Sequence, residues 1–120
     1  MKLIIAGSRS LSGRSGLVEK AIEKSGFTDI VEVVSGTAVG VDRLGEIWGL
    51  ANKKNVIQFP ANWGEFGKSA GFRRNISMAE YADALLAIWD GASRGTAHMI
   101  QQMRLRNKPV SIFEVIHRAE

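Results

Sequence analysis

Cysteine is absent from the 120 residues. That excludes disulfides, thiol chemistry and cysteine-ligated zinc. The two histidines, His98 and His117, lie too far apart for a metal-ligand spacing, so no metal site is expected. Proline occurs only at positions 60 and 109, each where a periodic segment stops. No apolar run approaches the roughly 20 residues of a membrane span. The opening run Leu3-Ile4-Ile5-Ala6 is too short for a signal peptide. There is no internal repeat, low-complexity segment, linker or charge block. Lys and Arg divide evenly between residues 1–60 and 61–120, and so do Asp and Glu.

What remains has the composition of a soluble globular protein, with 45% hydrophobic and 23% charged residues. The length suits one domain, residues 1–120, with a real core. A net charge of +4 fits an anionic partner, or simply a solvated and slightly basic surface.

Strand-like and helix-like patterns alternate. Strands are expected at Lys2–Ala6, about Ile30–Val34, Val56–Phe59, Ala84–Trp89 and Val110–Phe113. Helices are expected at about Gly16–Ser25, Val39–Lys54, Ala70–Ala82 and Thr96–Arg106. Gly26 stands where a left-handed C-cap belongs. The second helix shows an apolar stripe of Leu44, Ile47, Trp48 and Ala51. The third shows Phe72, Ile76 and Ala79, and the fourth Thr96, Met99, Ile100 and Met103. Residues 61–68 read as a polar and aromatic loop. The fold class is therefore α/β: a single Rossmann-like three-layer domain, with a parallel sheet of about five strands and helices on both faces.

In such sheets ligands bind outside the carboxyl ends of the strands. Three small, hydroxyl-rich turns fall there: Gly7-Ser8-Arg9, Ser35-Gly36-Thr37 with Gly40, and Asp90 to Thr96. Glycines let a ligand approach the backbone, and helix N-termini favour negative charge. The ligand-binding candidates in and beside these turns are Gly7, Ser8, Arg9, Ser35, Gly36, Thr37, Gly40, Asp42, Asp90, Ser93, Gly95 and Thr96. Arg9 either clamps a phosphate with paired donors or is an exposed arginine in a polar loop. Ser8 either donates to phosphate or caps the next segment, and Thr37 and Thr96 can do both. Asp42 would repel phosphate, so a sugar hydroxyl or base suits it better; it is also the best candidate for a general base. Arg73, Arg74 and Asn75 form a polar cluster or a solvated helix face. Asp90 and Arg94 either pair or orient a ligand. Trp63 and Phe66 either stack on a base or close their loop. Gly45 and Gly49 either seat their helix on the sheet or serve a subunit contact.

Ile-Ala-Gly-Ser-Arg at 5–9, Ser-Gly-Thr-Ala-Val-Gly-Val-Asp at 35–42, Ala-Gly-Phe-Arg-Arg-Asn at 70–75 and Gly-Ala-Ser-Arg-Gly-Thr at 91–96 together resemble the SLOG superfamily. The chain is similar above all to its small stand-alone branch, common in phages and bacteria. The resemblance implies a Rossmann-like fold, a nucleotide or nucleotide-derived ligand that Arg73 and Asn75 approach unless they face a neighbouring subunit, and self-association as a dimer or larger. It implies a cytoplasmic home, the host's cytoplasm if phage-encoded. The phosphoribohydrolase branch carries Pro-Gly-Gly-x-Gly-Thr-x-x-Glu with a catalytic glutamate. Here Gly95-Thr96 fits, but the glutamate position is Met99 and Pro-Gly-Gly is replaced by Gly91-Ala92-Ser93. The expectation is a binding protein without a cofactor. The alternatives are a hydrolase of nucleotide N-glycosidic bonds that uses Asp42 or Glu46, and a nucleic-acid binder.

Overall fold

The structure is a computed structural model describing residues 1–11 and 16–115. Positions 12–15 of the first turn and His117 fall outside the described residues. The elements run β1 (Lys2–Gly7), α1 (Leu17–Ser25), β2 (Glu32–Ser35), α2 (Val41–Ala51), β3 (Asn55–Gln58), α3 (Trp63–Phe66), a 3-10 turn (Gly67–Ser69), α4 (Ala70–Tyr81), β4 (Ala84–Trp89), α5 (Arg94–Leu105) and β5 (Val110–Glu114). The sheet order is β3-β2-β1-β4-β5. Every pairing is parallel; Leu3 aligns with Val33 on one side and Ala84 on the other. The chain is thus an α/β domain with a five-stranded parallel sheet.

The alternation of side chains along the strands builds two cores. Leu3, Ile5, Val33, Leu86 and Ile88 face α1 and α2. Ile4, Ala6, Val34, Leu85 and Ala87 face α4 and α5. Central β1 and β4 are buried on both faces, which is why they are continuous apolar runs. The edge strands β3 and β5 are only half-buried. Gly26 ends α1 in the left-handed conformation, with φ 73°.

Three expected features differ. First, α2 does not rest on the sheet through Leu44, Ile47, Trp48 and Ala51. Its buried face is Val41, Asp42, Gly45, Glu46 and Gly49. A Cβ on Gly45 would lie 2.8 Å from Ile5, and one on Gly49 3.0 Å from Val33 and Val56. The two glycines therefore let the helix backbone sit directly on the strands. This rotates Leu44 and Trp48 to the flank and leaves Ile47 exposed. Second, α4 buries Ala70, Asn75, Met78 and Ala79 rather than Phe72, which is exposed and stacks on His98 with centroids 4.4 Å apart. Third, residues 61–68 are not a plain loop. Asn62 caps α3, accepting from the Glu65 amide at 3.1 Å and donating to the Glu65 carboxylate at 3.0 Å. Neither aromatic of this segment is buried.

Candidate functional site

The strand order reverses direction between β1 and β4, and the carboxyl ends of these strands part there. This is where ligands enter open parallel sheets. A cleft holding about 70 Å³ of space occupies the point. Its walls are Gly7 and Arg9 after β1, Gly36 and Ala38 after β2, Asp42 on α2, Arg74, Asn75 and Met78 on α4, and Ser93, Gly95, Thr96 and Met99 around the start of α5. A second lobe of about 260 Å³ shares Arg9, Gly36, Ala38 and Arg74 with the first. It continues outward past Thr37, Pro60 and Ala61 to Trp63.

Each turn is shaped by its own hydrogen bonds. The Ser8 hydroxyl accepts from the Asp90 amide at 3.0 Å, tying the β1 turn to the β4 turn. Asp90 in turn accepts from the amides of Ala92 and Ser93 at 2.9 and 3.0 Å. These bonds, led by that from Ala92, hold its carboxyl below the ordinary carboxylate range. Asp90 is therefore a turn-builder and not a wall of either lobe. Ser93 caps α5, its hydroxyl contacting Thr96 Oγ1 at 3.1 Å. On the β2 side, buried Ser35 donates to Glu46 at 2.6 Å and accepts from the Thr37 amide at 3.1 Å. Gln58 holds the other Glu46 oxygen at 3.1 Å. Gly40 has φ +80°, and a Cβ there would lie 2.5–2.6 Å from the backbone of Ser8 and Arg9. Only glycine lets these two turns touch. Thr37 has φ 66°, an unusual strain for a β-branched residue.

Asp42 and Arg74 face each other across the cleft. Asp42 is buried and accepts from the Ala38 amide at 3.1 Å. Burial outweighs that hydrogen bond and the Arg74 charge, and lifts its pKa from 3.8 to about 6. Arg74 donates Nη1–H to the Gly36 carbonyl and Nε–H to Asn75 Oδ1, the latter at 3.0 Å. Burial pushes its pKa down, Asp42 opposing and Arg9 reinforcing the shift. Asn75 then donates to the Gly95 carbonyl at 3.1 Å and meets His98 Nδ1 at 3.2 Å. Burial lowers the His98 pKa below the ordinary imidazole value.

Of the residues singled out in the sequence, the cleft brings together Gly7, Arg9, Gly36, Asp42, Asn75, Ser93, Gly95 and Thr96; Thr37 lines the outer lobe. Ser8, Ser35, Gly40 and Asp90 stand behind the walls. Arg73 does not join them. Its Nε–H bonds to Ser69 at 3.1 Å and its guanidinium lies 4.4 Å from the Phe66 ring centroid. Arg74, one residue on, takes the place assigned to it. The helix turns about 100° per residue, so adjacent arginines face different ways. Asp90 and Arg94 make no ion pair among the described residues, and no cluster of His, Cys, Asp and Glu there can hold a metal. No helix among them is long and apolar enough to cross a membrane.

The chain is similar to the Gene 61 protein of Mycobacterium phage D29. The two are 29% identical over 119 residues, spanning 93% of this chain and 95% of that one. No protein-family profile matches the chain, and no solved structure matches it.

Proposed function

We propose that this protein binds a nucleotide or a nucleotide-derived molecule at the cleft, as a stand-alone domain of the SLOG type. The observation that carries the reading is the pairing of Arg9 and Arg74 with glycine-lined turns at the sheet's switch point. Two guanidiniums and the open amides of a helix start suit a phosphate. Asp42 suits the ribose. The small glycine walls at Gly7, Gly36 and Gly95 keep the backbone within reach. In a phage or its bacterial host such a domain would capture a nucleotide signal, and self-association remains part of the proposal.

The test is thermal melting against AMP, ADP, NAD, ADP-ribose, cyclic nucleotides, their guanine and cytosine counterparts, and short single-stranded DNA. A ligand at about 100 times its Kd adds roughly 2.7 kcal/mol, a rise of several degrees. The companion variant is Gly36→Ala. Gly36 is not in the left-handed region, so alanine fits the backbone. Its Cβ would lie 2.8 Å from Arg74 Nη1 and 2.9 Å from Asp42 Oδ2. Displacing one charge-assisted hydrogen bond should weaken binding about ten- to 100-fold with the fold kept. Unchanged affinity in the folded variant would remove this turn from the site.

A second reading is favoured by one observation. A buried carboxyl with pKa about 6, beside an arginine in a cleft, is poised as a general base near neutral pH. Met99, at the position of the relatives' glutamate, does line the cleft and brings no carboxylate. If an N-glycosidic bond is cleaved here, Asp42 is the base. Release of free base from the bound nucleotide, lost in Asp42→Asn, is the discriminating assay. DNA binding would instead weaken steeply with salt.

A further inference from the structure

We infer that the outer lobe is the base subsite, where a nucleobase stacks on Trp63. This rests on the nucleotide reading of the inner cleft and adds the chemistry of the other end of the ligand. The two lobes adjoin, since Arg9, Gly36, Ala38 and Arg74 wall both. A molecule whose phosphate meets the arginines must extend outward, because the inner lobe holds only about 70 Å³. The way out leads past Pro60 and Ala61 to Trp63, through about 260 Å³.

Trp63 is an unusual wall. It is the chain's largest type of apolar side chain, yet it is 54% exposed. It is also positioned rather than loose. The reciprocal Asn62–Glu65 cap fixes the turn of α3 that carries it. The indole edge also packs beside α4 at Gly71, where even a Cβ would stand at an ordinary contact distance, 3.4 Å, from Trp63 Cη2. The second aromatic of the segment, Phe66, is already engaged by the Arg73 guanidinium. Trp63 is therefore the half-exposed ring that lines the lobe. A flat, polarisable partner with a polar edge suits it, and a nucleobase joined to a phosphate has that shape. Every base offers a π-face, so purines, with the larger ring, should bind best.

The experiment measures binding of AMP, GMP, CMP and UMP, and of ribose 5-phosphate as the probe without a base, by calorimetry. Wild type, Trp63→Ala and Trp63→Phe are compared, with folding checked by circular dichroism. Trp63→Ala should weaken AMP about five- to 100-fold and leave ribose 5-phosphate unchanged, while Trp63→Phe keeps most of the AMP affinity. AMP should quench tryptophan fluorescence in wild type and not in Trp63→Phe. Equal loss of AMP and ribose 5-phosphate in Trp63→Ala, or loss of neither, overturns the base subsite and leaves the phosphate cleft standing. If wild type binds none of these probes and nothing in the wider nucleotide panel, the nucleotide reading falls and this inference falls with it.

Discussion

Asp42 should make the folded protein less stable at pH 7 than its other interactions warrant, and Asp42→Asn should reveal it. In the unfolded chain the carboxyl titrates near 3.8; in the fold it titrates at about 6. The folded state therefore holds the proton more tightly. Between these two values it binds more protons than the unfolded state, so stability falls as pH rises. The contribution is fully present below about pH 4 and is lost by about pH 6. Its size follows from the two values, at 1.36 kcal/mol per pH unit: about 3 kcal/mol. Asparagine keeps one oxygen for the Ala38 amide and removes the charge. One altered hydrogen bond offsets the gain by about 1 kcal/mol. The variant should then be more stable than wild type by about 2 kcal/mol at pH 7, and slightly less stable than it, by up to about 1 kcal/mol, at pH 4. The assay is urea unfolding of both proteins at pH 4, 5, 6, 7 and 8. The difference between them cancels the other carboxyls, including Asp90, whose lowered pKa gives the opposite slope. Parallel curves across pH 4 to 8 would refute the reasoning and mean that Asp42 is not desolvated.

Gly45→Val should destabilise the fold by about 1–3 kcal/mol in urea unfolding, because its Cβ would start 2.8 Å from Ile5. An unaffected midpoint would mean that α2 can lift off the sheet freely. Thr37→Gly should raise stability by about 1 kcal/mol, since φ 66° strains threonine and not glycine. A thermal melt would detect the rise, and a fall would show that the threonine side chain holds its turn.

Much of the fold was legible because central strands leave little choice. Ala84 to Trp89 is wholly apolar and is β4 at both ends. The stripe Thr96, Met99, Ile100 and Met103 is the buried face of α5. The face of α2 was not legible from hydrophobic periodicity. That pattern counts large side chains, whereas α2 is seated by the side chains it lacks, at Gly45 and Gly49. The resemblance points to Arg73 beside Asn75, whereas the phase of α4 brings Arg74 to the cleft. Taking Phe72 as an inward residue misphases α4, and Phe72 is in fact outside, against His98. Asn75, Met78, Ala79 and Ala82 carried the correct phase. The α3 turn had a readable signal in Asn62-x-x-Glu65, obscured by Gly64 within it and Gly67 just after it. The turns of the site were legible as turns. Which of their residues face the cleft and which brace it depends on hydrogen bonds between distant segments, such as Ser8 to Asp90.

The cleft takes its walls from both sides of the sheet. Asp42 belongs to the helix layer of one face, and Arg74 and Thr96 to that of the other. Along most of their length these layers are kept apart by β1 and β4. At the top of the sheet the Arg74–Gly36 bond ties the α4 layer to the turn that leads into α2, like a half-closed clasp. A guest in the cleft would fasten it. Amide exchange in α2 and α4 should then slow together when the guest arrives, although the two helices rest on opposite faces.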